Sequence, residues 1–156
     1  MANKTMAGHS RRRAGNSVPP STRLLPIPTE IVNDVMIKHH VMLSNLRRGG
    51  GDAHHFGSLA RVIVVAAELL KSGYGEVDPE DFAGVQEALV RANEVAHATG
   101  VWSVDEPTSA LLGDLLTLHE QQLRTAPLHI VAKANDRACQ IDQPSQADRT
   151  DLRKVA

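Results

Sequence analysis

Residues 53–72 constrain this chain more than any other segment. Phe56, Leu59, Ala60, Val62, Ile63, Val64, Val65, Ala66, Ala67, Leu69 and Leu70 leave only a narrow polar seam along it. A surface helix turns one apolar stripe inward, whereas a helix apolar on most of its circumference needs neighbours on most of its sides. The β-branched run 62–65 would suit a buried strand if it stood alone. It lies between helical flanks, with Glu68 and Lys71 at tolerable spacing and no turn signal nearby, so a central helix is the preferred reading.

The punctuation around this segment supplies the neighbours. Thr29 is a candidate N-cap after Pro26-Ile27-Pro28, and Ile31, Val35, Met36, His39, Met42, Leu43 and Leu46 then recur at helical spacing to form one face. Gly49-Gly50-Gly51 ends that helix and Asp52 can cap the central one. Gly73 supplies a left-handed stop, with Tyr74-Gly75 continuing the turn. Asp78-Pro79-Glu80-Asp81 starts a third helix, since Asp caps, Pro suits the first helical position and the acids complement the dipole. Its stripe of Phe82, Val85, Leu89, Ala92 and Ala96 runs to Gly100, and an extended connector through Trp102 leads to the cap Asp105-Glu106-Pro107. The fourth helix turns Leu111, Leu112, Leu115, Leu118, His119 and Gln122 inward. Thr125-Ala126-Pro127 kinks or restarts it, and Leu128, Val131, Ala132 and Ala138 carry a last segment to about Ile141. The expected fold is all-α, an antiparallel bundle of four or five helices joined by short links.

Outside this core the composition changes. Residues 1–28 carry Lys4, Arg11, Arg12, Arg13 and Arg23 and no acid, and read as a disordered basic arm. Residues 29–141 form the bundle domain, where nine basic side chains meet fifteen acidic ones for a net charge of −6. Residues 142–156 balance three of each and read as a second disordered tail. A charge layout of this kind suits an arm that meets an anionic partner or folds back on its acidic core. Arg11, Arg12, Arg13 and Arg23 are therefore the candidate nucleic-acid contacts, giving salt-sensitive phosphate binding. With four aromatic residues in the chain a base-stacking platform is not expected. The single Cys139 cannot form an internal disulfide, the basic start leads into Val18-Pro19-Pro20 without completing a secretory signal, and no stretch reads as membrane-spanning. A cytoplasmic location follows as the expectation.

The histidines are the candidates for chemistry. His39 and His119 both fall on apolar faces, and together with His40 and Glu120 they form a candidate polar core or interaction site. One reading makes the pair a hydrogen-bonded register device between helices; another makes it a pH-sensitive or metal-binding site. A di-iron bundle needs two Glu-x-x-His copies, and Glu94-Val95-Ala96-His97 is the single one, off the inward stripe of its helix. His54 and His55 are adjacent and project about 100° apart on a helix, so they do not face one ion. Gly49-Gly50-Gly51 follows a helix and lacks the Lys-Ser or Lys-Thr of a phosphate loop. No nucleophile elbow or paired acids stand at a catalytic spacing. No catalytic residue, metal ligand set or cofactor is expected, and the chain does not read as an enzyme.

His40-x-x-Leu43-x-x-Leu46-x-x-Gly49, Gly73-Tyr74-Gly75, Thr99-Gly100-Val101-Trp102 and Leu118-His119-Glu120-Gln121-Gln122-Leu123 give the chain a likeness. It resembles a loose group of small helical proteins encoded by prophages, plasmids and genomic islands of proteobacteria, over roughly residues 40–134. Some members of such groups carry a Fis-like regulator label, but residues 105–141 contain no basic helix-turn-helix of that type, since Pro127 interrupts them. The resemblance implies a mobile-element setting without an assigned activity, and the adaptor or regulator reading rests on good caps, a full core and no assembled active site. The expectation is a non-catalytic protein that binds another macromolecule, with a protein partner or a second copy of itself on a bundle face. The alternatives are a DNA-binding regulator using the basic arm and a histidine-based metal-binding bundle.

Overall fold

A computed structural model of the chain describes residues 19–141, which form a single 3-10 turn, Thr22–Leu24, and five α-helices: α1 Thr29–Arg47, α2 Ala53–Lys71, α3 Pro79–Thr99, α4 Glu106–Thr125 and α5 Leu128–Ile141. The architecture is the all-α bundle that the apolar periodicity and glycine punctuation predict. α1 packs most extensively on α4, and α2 on α5, with α3 laid against α4.

The caps explain the helix starts. Asp52 Oδ1 accepts the backbone N–H of His55 at 2.9 Å while the Asp52 N–H donates to His55 Nδ1 at 3.2 Å, a reciprocal capping box with histidine where Glu or Gln is usual. Asp78 accepts from the Glu80 N–H at 2.8 Å and Asp105 from the Thr108 N–H at 2.9 Å, each followed by an early proline. The start of α1 differs from expectation by one residue. Pro28, already extended at ψ 139°, stands at the N-cap, and Thr29 is the first helical residue. The inward stripe of α1 shifts likewise, because Val32 is fully enclosed while Ile31 is 52% exposed.

The main core is Leu-rich and lies among α1 to α4, around Leu46, Leu59, Leu112 and Leu116. A second, smaller cluster joins the later half of α2 to α5 through Val65, Leu69, Ala126, Ala134 and Ala138. By length and composition alone, α2 reaches the range of a membrane-crossing helix, which the sequence reading did not grant it. Its Leu59, Ala66 and Leu69 are nonetheless fully enclosed by the other helices.

Residues 19–28 belong to the folded unit, although their composition assigns them to the arm. Pro26 pairs with Pro127 in an isolated antiparallel bridge, and the Leu128 N–H donates to the Leu25 carbonyl at 2.8 Å. Proline lacks an N–H, so the pairing is made by flanking residues, as the Leu128 bond is. Ala126 is extended, and helical bonding resumes from the Pro127 carbonyl, so the chain restarts there rather than kinking.

Candidate functional site

The strand-like stop at Pro26 and Pro127 fixes where α5 begins, and α5 then runs back along α2. Its contacting side chains are Ala134 and Ala138, small enough to bring the helix close to Val65 and Leu69. α1 is held on the opposite flank of α2 by its own ties to α4. Arg47 makes a two-pronged pair with Glu106, at 2.9 and 3.0 Å, and Arg124 donates to Asn33 Oδ1 at 2.8 Å. Between α1 and α5 there remains an open groove of about 840 Å3. Ile31, Val35 and Met42 of α1 form one wall, Leu128 and Val131 of α5 the other, and Val62 and Val65 of α2 lie between them.

His39 and His119 line this groove, their ring centroids 6.1 Å apart and the planes tilted by 47°. His119 is 4% exposed and His39 is half-buried. Within α4, the His119 side chain is in hydrogen-bonding contact with Gln122 one turn on. Nδ1 of His39 is buried without a hydrogen-bond partner, and the side chains that meet around the pair are mostly apolar. Desolvation pushes the His119 imidazolium down to about 4, with the neighbouring His39 adding repulsion and the Gln122 hydrogen bond opposing the shift. His39 is lowered by burial first and by the adjacent His40 second. Both rings are therefore neutral near pH 7.

The other candidate residues stand apart from the pair. His40 is exposed, one residue further round α1. Glu120 is half-buried and bonded to Arg124 at 2.6 Å, which in turn reaches α1 through Asn33. Among the described residues no group of three or more His, Cys, Asp or Glu gathers to hold a metal ion. The two histidines that a metal-binding bundle would require do meet across α1 and α4, but without a third donor. His97 rests at the rim against Trp102, with ring centroids 5.1 Å apart. Arg23 is exposed, and its carbonyl accepts from His129 Nδ1 at 2.8 Å. Arg11, Arg12 and Arg13 lie outside the described residues.

Sequence reasoning turned Gln122 inward but did not anticipate two features, its partners and the groove. Gln122 is fully buried and donates through Nε2 to the carbonyls of Ala66 at 3.0 Å and Tyr74 at 3.1 Å, locking α4 to α2 and to the turn after it. Gly75, at φ +83°, makes room for it: an added Cβ would stand 2.8 Å from Leu118 Cδ1 and 3.3 Å from Gln122 Cγ. The second feature is the groove. Its only local signal is the cluster of small residues Gly57, Ser58 and Ala60 in an otherwise bulky apolar helix. No protein family, curated protein or solved structure matches the chain.

Proposed function

We propose that this chain is a non-catalytic binding protein of adaptor or regulatory type, and that what it binds enters the groove between α1 and α5. The observation that supports this reading is the groove itself. About 840 Å3 of largely apolar space with a few converging polar groups falls in the range of ligand-receiving clefts. Regulation follows from the position of the walls. α1 and α5 are coupled chiefly through α2, α4 and the N-terminal turn, so an occupant touching both favours one spacing over others. In a mobile-element regulator, the setting that the resemblance implies, such a shift would alter the hold on a macromolecular partner. Arg11, Arg12, Arg13 and Arg23 would then be the phosphate-contacting arm.

The test uses the neutral apolar dye N-phenyl-1-naphthylamine and the full chain. Ala60 is exposed on α2 and lines the groove, so Ala60→Trp fills the space without entering the core. Wild-type protein is expected to bind the dye saturably, and the variant to lose that binding while its melting temperature stays close to wild type. Equal binding by both would move the function away from this groove.

A further inference from the structure

The first helix carries one spacing twice. Val32, Met36, His39, Leu43 and Leu46, alternately four and three residues apart, face the bundle and are buried or half-buried. Glu30, Asp34, Ile37, Val41 and Ser44 repeat that interval two residues earlier at each step, and Arg48, helical in backbone at the C-cap, continues it. Such alternation lines side chains up along one seam of a helix, where a second helix packs at a shallow angle. The inner seam is covered by α2 and α4. The outer seam is open at its centre, with Ile37 61% and Val41 53% exposed.

We propose that the outer seam of α1 is a self-association face, docking antiparallel on the same seam of a second copy of this chain about a two-fold axis. Single exposed aliphatic side chains are ordinary on a protein surface. On α3, Val90 and Val95 are as exposed but five residues apart, which puts them on different faces. Ile37 and Val41 are one turn apart and sit midway between ends of opposite charge. Glu30 and Arg48 stand nine residues either side of His39, Asp34 and Ser44 five, Ile37 and Val41 two. A two-fold axis through the outer side of α1 at that level sets Glu30 against the partner's Arg48, Asp34 against the partner's Ser44 and Ile37 against the partner's Val41, each contact being made twice. Parallel docking would set Glu30 on the partner's Glu30 and Arg48 on the partner's Arg48, which repel.

The charges needed are available. Glu30, Asp34 and Arg48 are exposed, and their side chains make no hydrogen bond or ion pair among the described residues. Arg47, by contrast, is already committed to Glu106 within the chain. From Glu30 to Arg48 the seam is about 27 Å long at 1.5 Å per residue, and at a crossing near 20° its ends stay within reach of long side chains. Residues 1–18 suit the seam less well. They hold Lys4, Arg11, Arg12 and Arg13 with no acid, which meets Glu30 and Asp34 but opposes Arg48, and their large apolar side chains are Met1, Met6 and Val18 alone. No residue of the outer seam lines the groove, so the two surfaces can be occupied independently.

The test is sedimentation velocity of the full chain under reducing conditions and low salt, from low-micromolar to near-millimolar protein. A monomer–dimer equilibrium is expected. Glu30→Arg and Arg48→Glu each set like charges opposite at two symmetric points, and each should weaken the dimer about tenfold. The double variant Glu30→Arg/Arg48→Glu exchanges the charges and should restore the dissociation constant to within about threefold of wild type. Ile37→Asp, exposed and outside the core, should be monomeric throughout while keeping its helical circular dichroism and its binding of N-phenyl-1-naphthylamine. Dye binding thus reports on the groove and sedimentation on the seam. A wild-type chain that stays monomeric overturns the proposal, whatever else covers α1. A dimer indifferent to Ile37→Asp and to both reversals overturns it as well and places the second copy on another face. A dimer that Ile37→Asp dissolves but the reversals leave alone, or that the double variant fails to restore, overturns the antiparallel register.

Discussion

Both halves of α2 bury apolar side chains, yet they meet two environments. Toward its C-terminal end the helix packs on α5: Leu69 is fully enclosed, and the Ala134 and Ala138 side of α5 lies against it. Earlier, His54, Gly57, Ala60 and Arg61 are exposed and line the groove. Hydrophobicity alone does not decide which half is covered. At about 1.5 Å per residue α5 spans roughly 21 Å and α2 roughly 28 Å, so even full overlap leaves part of α2 bare. The Pro26 and Pro127 pairing sets where α5 starts, and with it which part stays open. The groove is thus the part of α2 that α1 and α5 together leave uncovered.

The comparison is broken most severely at the sealed end. Leu69→Ala removes a fully enclosed side chain from a cluster whose other members are mostly alanine and cannot expand into the space. A cost of about 2–5 kcal/mol is expected in denaturant unfolding. A loss below about 1 kcal/mol would mean that the α2–α5 contact is as loose as the groove beside it.

Next in size is the effect of pH on the groove's own floor. His119 titrates at about 4 in the folded chain against a reference of 6.5. The unfolded chain therefore binds the proton first as pH falls, and the stabilisation present above pH 6.5 is lost progressively down to about 4. At roughly 1.4 kcal/mol per pH unit this amounts to about 3 kcal/mol. His39 is shifted in the same direction. His119→Leu should flatten the stability profile between pH 6.5 and 4, and at pH 5 should be the more stable protein. Urea unfolding across that window decides it; an unchanged slope in the variant would show that His119 is not buried.

Much of the bundle was legible in the sequence because caps and glycine stops act locally. Asp52, Asp78 and Asp105 do what their side chains do at any helix start, and the Gly100 left-handed stop at φ +75° depends on nothing distant. The His39 and His119 proximity could be anticipated only as far as both fall on apolar faces; whether α1 lies beside α4 is decided by tertiary packing. The groove was not legible. Its walls, Ile31 and Val131, are a hundred residues apart, and an exposed Ile31 has the same periodicity as a buried one. The misplaced start of α1 has a similar cause, since a proline with extended ψ can hold the N-cap position without offering a side-chain bond. Gln122 reads as inward-facing from its spacing, but what it bonds is settled only once the Ala66 and Tyr74 carbonyls are placed around it.

That glutamine sharpens the comparison from the sealed side. Gln122→Ala deletes both bonds and leaves the Tyr74 carbonyl short of a donor beside a small void, which should cost about 1–3 kcal/mol in thermal or chemical unfolding. Gln122 does not itself line the groove, so dye binding per folded molecule should change less than stability does. Loss of dye binding without loss of stability would mean that Gln122 acts on the groove through its neighbour His119.

The smallest expected effect comes from the open half itself. Gly57 is helical and exposed, and a Cβ built on it meets nothing within 4 Å. Glycine there costs the helix backbone entropy that alanine would not, so Gly57→Ala should raise stability by about 0.5–1 kcal/mol. Gly75, with a positive φ and Leu118 and Gln122 pressed against it, should respond to the same substitution with a clear loss. Unfolding of the two variants side by side isolates the environment from the residue type. If Gly57→Ala were destabilising, something other than solvent would have to occupy that face of α2, and the groove would not be open in solution. If it stabilises as expected and dye affinity falls, the absent side chain at position 57 is what keeps the groove deep enough to receive a ligand.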